Sequence, residues 1–523
     1  MKLETFFEKF DQFADAPDAV AKMRELVLQL AVQGKLVERK ENDGNAAKIF
    51  SEGLPPEAES RYETAENWIW IRFAAVGEQR LGKMLDQKGN RGELKPYLRN
   101  TNVQWMRFQL DDIKELRLES DELEEYRLLP GDLLICEGGE PGRCAIWRDP
   151  EREMYFQKAI HRVRPRKGIL SEYLAICLQV DAQNGVLAKH FTGATIKHFT
   201  GRSLSEYSIP LPPLAEQKRI VAKVDELMAL CDRLEAQQQE RETRHAALAR
   251  ASLARFADAP TPANLPFLFH PSYAIPPADL RKSILTLAVQ GKLVPQDPND
   301  ELPQIPSDGQ TVGDSEWVSR LQLPDTWQWA RFESLLAVLK NGFNGKPSKV
   351  VGKFKITRIE TISRETVDLA RVGYADDLPA DVVAKHPVLK GDILFSHINS
   401  EPHLGKTAIC TIDDPTLVHG VNLLLLRPIA GIDSRYLNIA LRELRAAGYF
   451  VSIAQRAVNQ ASINQKNLGR TPIPIPPLAE QRRIVAKVEQ LMALVDALET
   501  QLAASRATAA NLLSALVAEL TAA

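Results

Sequence analysis

"PPLAEQKRIVAKVDELMALCDRLE" at 212–235 returns as "PPLAEQRRIVAKVEQLMALVDALE" at 476–499, changed only at Lys218/Arg482, Asp225/Glu489, Glu226/Gln490, Cys231/Val495 and Arg233/Ala497. In the first copy apolar residues fall at Ile220, Val224, Leu227, Cys231 and Leu234, with Leu248 in the same phase. The second gives Ile484, Val488, Leu491, Val495 and Leu498, continuing through Leu502, Ala509, Leu512 and Leu516. Four-three spacing over several turns predicts a long helix whose apolar seam needs a partner. The chain supplies a candidate partner in its own second copy. The Pro-Pro-Leu start pre-sets the chain, and Glu216 or Glu480 meets the positive end of the helix. About 40 residues at ~1.5 Å rise make a rod of roughly 60 Å. Antiparallel pairing of the rods would relate the two halves by an approximate two-fold axis; packing of each rod on its own globular block, or homodimerisation, is the alternative that periodicity leaves open.

Other echoes keep the same order. "LAVQGKLV" stands at 30–37 and 287–294, "WIWIRF" at 68–73 answers "WQWARF" at 327–332, and "LLPGDLLIC" at 128–136 answers "VLKGDILFS" at 388–396. Offsets of 257 for the first pair and 264 for the long helix make the chain two diverged copies of one unit, not a short-period solenoid. The expected segments are a helical N-terminal piece (1–53), a mixed block (54–211), a long helix (212–257), a linker with a repeat of the first piece (258–309), a second block (310–475) and a second long helix (476–523). Polar, breaker-rich stretches separate them, such as "PQDPNDELPQIPSDGQTVGD", and the prolines of "DAPTPANLPFLFHPSYAIPPAD" end the first rod. The helices match closely and the blocks only at scattered positions: one scaffold carries two different heads.

With 523 residues, 44% hydrophobic and 26% charged, the chain has ordinary globular composition and room for several cores. No apolar run approaches the ~20 residues that cross a bilayer, so a cytoplasmic location is expected. Cys136, Cys144, Cys177, Cys231 and Cys410 are scattered without a CxxC pair and read as small buried hydrophobes. A net charge of -2 neither demands nor forbids a nucleic-acid partner, so any such partner must be met by local patches. The Trp68/Trp70 and Trp327/Trp329 pairs read as alternating strand residues of the framework.

The junctions IPLPPLAEQKRIV and IPIPPLAEQRRIV, the GDLLI and GDILF strands and the tandem arrangement of two such modules resemble the specificity subunits of Type I restriction-modification systems, the HsdS family, over nearly the whole chain. The resemblance implies an α+β protein: two pseudo-symmetric target recognition domains, each a twisted sheet plus helices, joined by two long antiparallel coiled-coil helices. It implies double-stranded DNA as ligand, each domain reading one half of a split, asymmetric sequence and the helices setting the spacer. It also implies a non-catalytic chain that binds two copies of a methyltransferase subunit and, with them, restriction/translocase subunits. S-adenosylmethionine, ATP and Mg would sit on those partners, and no cofactor on this chain. A different reading remains open from the residues alone, a non-catalytic coiled-coil scaffold whose heads bind protein or RNA.

Motifs for chemistry of its own are missing. There is no glycine-rich cofactor loop after a strand and no N-P-P-[FY] adenine motif. "SEPHLGKT" (400–407) lacks the first glycine of a phosphate loop and reads as a strand-flanking loop. Triplets such as "DIK" (112–114) stand without a repeated carboxylate cluster, and the nine histidines show no metal spacing.

Base readout calls on Arg, Lys, Asn and Gln, and phosphate contact on positive charge. In the first head the loops between framework strands offer Arg91, Lys95, Arg99, Arg143, Gln157, Lys158, His161, Thr195, Lys197, His198 and Arg202. In the second they offer Lys340, Asn341, Asn344, Lys346, Lys349, His397, Asn399, Lys406, His419, Asn422, Asn459, Gln460, Ser462, Asn464 and Lys466. "TGATIK" (192–197) and "NQASIN" (459–464) hold equivalent places, but Gln460 and Ser462 replace Gly193 and Thr195. Lys218, Arg219, Arg482 and Arg483, at the starts of the rods, are expected near the DNA spacer or the partner subunits.

Overall fold

The computed structural model describes residues 16, 18–51, 53–56, 58–86, 91–259, 261, 263–270, 273–306, 316–457 and 460–522. Six helices of more than ten residues carry the frame among the described residues: α1 (Ala19–Val32), α2 (Ser171–Gln183), α3 (Leu214–Asp258), α4 (Pro277–Val289), α5 (Ser434–Ala446) and α6 (Leu478–Ala522). The chain divides into two compact units. One holds the described residues through Glu240 with those from Ala504 onward, and the other holds Arg241–Ala503. Thus α3 begins in the first unit and ends in the second, and α6 does the reverse, which is the antiparallel order.

In the first unit the block is closed by its own ends. Strand Ile69–Arg72 pairs antiparallel with Ser208–Leu211, Ile69 opposite Leu211, so the chain returns to its starting point just before Pro212 and Pro213 start the rod. A four-stranded antiparallel sheet follows, in the order Gly77–Leu81, Ile160–Pro165, Leu133–Cys136, Cys144–Ile146. Beside it Lys114–Leu118, Glu93–Leu98 and Tyr155–Phe156 form a three-stranded sheet with one parallel pairing. The second unit repeats this plan with Gln328–Arg331 on Pro472–Ile475, the sheet Leu336–Asn341, Leu424–Pro428, Ile393–Phe395, Thr407–Ile409, and the trio around Phe354–Ile356. It adds a sheet of Ile398–Asn399, Gln460–Ser462 and Gln455–Ala457.

The framework bonds are duplicated in detail. Gln217, wholly buried, accepts from Leu170 N–H at 2.9 Å and donates to the carbonyls of Gly168 and Pro212; Gln481 does the same with Asp433, Gly431 and Pro476. Arg219 grips Asp43 at 2.5 Å as Arg483 grips Asp300 at 2.6 Å. Arg24 bridges Asp232 and Glu235, as Arg281 bridges Asp496 and Glu499. Trp68 meets Tyr173 edge-on at 6.3 Å, and Trp327 meets Tyr436 at 6.2 Å. The PPLAEQ motif is therefore a latch, tying the polar linker and the block to the base of the rod. Glu216 and Glu480 belong to it: both are buried, and Glu480 accepts from Gln296 at 2.6 Å and Trp327 Nε1 at 3.0 Å.

The rod seams are buried, each within one unit. Ile220, Val224, Leu227 and Cys231, flanked by Leu234, pack with Met23, Leu26 and Val27 of α1 and with Leu513, Leu516 and Leu520 at the end of α6. Ile484, Val488, Leu491 and Val495, flanked by Leu498, share a core with Leu280 and Ile284 of α4 and with Ala249 and Phe256 at the end of α3. A short helix covers each seam start, and the tail of the other rod joins it. The phase anticipated at Leu248 is displaced, since Leu248 is 47% exposed and Ala249 is buried. The sequence explains this: "AQQQERETRHAA" (236–247) has no apolar residue but alanine to hold the register. All five cysteines are buried and free.

Candidate nucleic-acid interface

In the first head, hydrogen bonds gather five separate segments into one face. Lys158 N–H donates to Lys83 O at 2.9 Å and Gln157 N–H to Leu98 O at 3.2 Å. Asn100 Nδ2 donates to Gly138 O at 3.1 Å, and Phe199 N–H to Glu137 O at 2.7 Å. Thr192 and His198 exchange backbone bonds of 2.9 Å that close the loop between them. Gly82 makes the first junction possible: a Cβ there would lie 2.2 Å from Gln157 O. The same frame stands in the second head, where Phe343 N–H donates to His419 O at 2.7 Å, Gly420 N–H to Thr357 Oγ1 at 2.9 Å and Ile463 N–H to His397 O at 2.9 Å. A Cβ on Gly342 would meet Gly420 at 2.4 Å.

The sequence candidates divide on this frame. Gln157, Lys158, Thr195, Lys197 and His198 come together on the first face, all exposed except the half-buried Gln157. Arg91 is exposed just before Glu93–Leu98, and Arg202 is exposed but paired with Glu206 at 3.0 Å. Three further cations are held by the protein itself: Lys95 between Glu93 and Glu153, Arg99 on Asp112, and Arg143 on Glu140 and the Asn100 carbonyl. His161 is turned inward, its Nε2 2.8 Å from Phe199 O, and burial lowers its pKa. It braces the face from behind.

On the second head Asn341, Asn344, Lys346, Lys349, Asn422, Gln460 and Lys466 are exposed, and Asn399 and Ser462 half-buried. Asn464 caps a short helix by accepting from Asn467 N–H at 2.7 Å. Lys406 donates to Ser363 O at 3.0 Å, and Lys340 to Lys385 O, where burial lowers its pKa. His397 and His419 are buried, and burial pushes their pKa down to about 4 and about 3. Both are neutral at pH 7 and supply no positive charge to a phosphate. Asn459 lies outside the described residues.

Sequence reasoning missed the hairpin Val103–Gln104/Arg107–Phe108, which stands beside the glycine-rich loop of the first face. Trp105 Nε1 donates to Glu140 Oε1 at 3.0 Å, and Met106 and Arg107 are exposed. Strands of two residues leave no periodicity to read. In "SEPHLGKT", Gly405 has φ 74° and packs against Phe450 while Thr407 is buried in a strand, so this stretch is a turn. Among the described residues no group of three or more His, Cys, Asp or Glu is placed to hold a metal ion, and no helix is long and apolar enough to cross a membrane.

Two heads on one frame, each with its own set of exposed donors, match a known architecture. Residues 72–242 and 324–505 correspond to the Type I restriction modification DNA specificity domain. The chain belongs to that family. The specificity subunit of the Type I restriction enzyme EcoEI, from Escherichia coli, is 24% identical over 568 aligned residues, covering 95% of this chain and 93% of that one. The putative MjaX specificity subunit of Methanocaldococcus jannaschii is 42% identical over 182 residues, 35% of this chain and 43% of its own length. The crystal structure of the HsdS subunit from Thermoanaerobacter tengcongensis is 20% identical, with a TM-score of 0.45 over 88% of this chain and 98% of that one. Both copies of the specificity domain take in the block and most of the following rod.

Proposed function

We propose that this specificity chain is the DNA-recognition subunit of a Type I restriction-modification complex. It reads a bipartite, asymmetric target and directs adenine-N6 methylation and restriction by partner subunits. The observation that carries this is the contrast between a latch whose glutamine and arginine bonds are duplicated and two faces whose exposed side chains differ. A frame repeated in each unit suits two copies of one methyltransferase subunit; faces that differ suit two unlike half-sites. The chain itself is non-catalytic. S-adenosylmethionine, ATP and Mg belong to the methyltransferase and restriction/translocase subunits, and the work of this chain is positioning.

The test is duplex binding by the chain purified with its methyltransferase subunit. Affinity is expected to fall steeply and log-linearly with salt and to require both half-sites at one spacing. Binding indifferent to salt and sequence would overturn the proposal in favour of a scaffold for protein or RNA.

A further inference from the structure

Met106 has φ 60°, and Glu365, at the equivalent turn of the second unit, has φ 61°. Left-handed backbone is uncommon outside glycine and asparagine and is kept where surrounding structure or function repays it. In the second unit the repayment is visible. Glu365 is clamped by Arg442 at 3.0 Å and Arg445 at 2.7 Å. In the first unit nothing comparable holds Met106: its side chain is 44% exposed and, among the described residues, joins none of the apolar clusters. Only its backbone is fixed, by the bond from its N–H to Cys144 O at 2.9 Å.

The turn is tied to its neighbours. Trp105 is fastened to Glu140, Glu140 is held by Arg143, and Arg143 reaches Asn100 O, which ties the hairpin to the glycine-rich loop. His198 lies against Gly138 of that loop, with Lys197 beside it in sequence, and Arg107 follows Met106 directly. An unbranched, polarizable apolar side chain is therefore exposed at a turn tied to the glycine-rich loop of the face that carries Lys158 and Lys197, with exposed Arg107 next in sequence. The apolar group that a base pair offers in the major groove is the thymine methyl.

We propose that Met106 is a specificity-determining residue of the first head, reading a thymine methyl in the half-site of that head. This rests on the DNA-recognition reading above. In the second head Glu365, at the equivalent position, is held in two internal ion pairs, and that head reads with other residues.

Glycine accepts the left-handed turn without strain, so Met106→Gly removes the side chain and preserves the fold. The full chain with its methyltransferase subunit, wild type and Met106→Gly, is used to select binders from a random duplex library. The wild type is expected to enrich a split motif with a thymine in one half, and the variant the same motif relaxed at that base pair alone. Replacing that thymine by uracil, which deletes the methyl, should weaken wild-type binding about fourfold and leave the variant unaffected. An identical motif from both proteins, a half-site without thymine, or equal uracil sensitivity overturns the inference. A wild-type chain that enriches no motif overturns the DNA-recognition reading as well.

Discussion

Glu443 sits on α5, where it accepts from Thr286 Oγ1 of α4 at 2.9 Å, and burial raises its pKa to about 7. A carboxyl raised above its unfolded value of about 4.5 holds an extra proton in the native state between those two pH values. Stability contributed there is present at low pH and is lost as pH rises through about 7. Glu443→Gln keeps the Thr286 bond without the charge. Relative to this variant, the wild type should lose roughly 2–3 kcal/mol between pH 5 and pH 8, read from urea midpoints; parallel pH profiles would refute it. Asp132 and Asp392, each 1% exposed, hold Arg164 and Arg427 through paired bonds of 2.7–2.9 Å. Asp132→Asn or Asp392→Asn should cost about 2–3 kcal/mol while the recognised sequence stays the same, because the pair is frame and not face. The histidines make the same distinction. Their positions were readable as loop candidates, but the burial that makes His161, His397 and His419 neutral supports depends on contacts distant in sequence.

Among elements, the long helices were legible because a four-three pattern repeated almost verbatim leaves little choice of structure. Their partners were not. α1 and α4 are short and modestly amphipathic, and nothing local shows that they cover the seams at Ile220 and Ile484. The latch was half-legible: the motif stood out, but the role of Gln217 and Gln481 in gathering three backbone groups apiece appears only in the fold. Gln217→Ala or Gln481→Ala leaves those groups unpaired and should cost roughly 2–3 kcal/mol by denaturation. The four basic residues at the rod starts divide in two. Arg219 and Arg483 are spent on Asp43 and Asp300, while Lys218 and Arg482 are exposed. Charge reversal at Lys218 and Arg482 should therefore weaken assembly or general DNA binding with the folded chain intact, and reversal at Arg219 or Arg483 should lower thermal stability. A recognition sequence altered by Lys218→Glu would contradict this division.

For the whole molecule, the frame is duplicated while the exposed side chains of the two faces differ, and the proposed function rests on that contrast. The most direct test is single-molecule mapping of N6-methyladenine in DNA from cells expressing this chain with its methyltransferase subunit, against cells lacking this chain alone. The comparison is repeated with Asn341, Asn344, Lys346 and Lys349 of the second head replaced by alanine. A split motif that depends on the chain, with one half lost or altered by the replacement and the other half and the spacer unchanged, is the predicted result. A complex that assembles without yielding a motif, or a replacement that changes both halves alike, would contradict it.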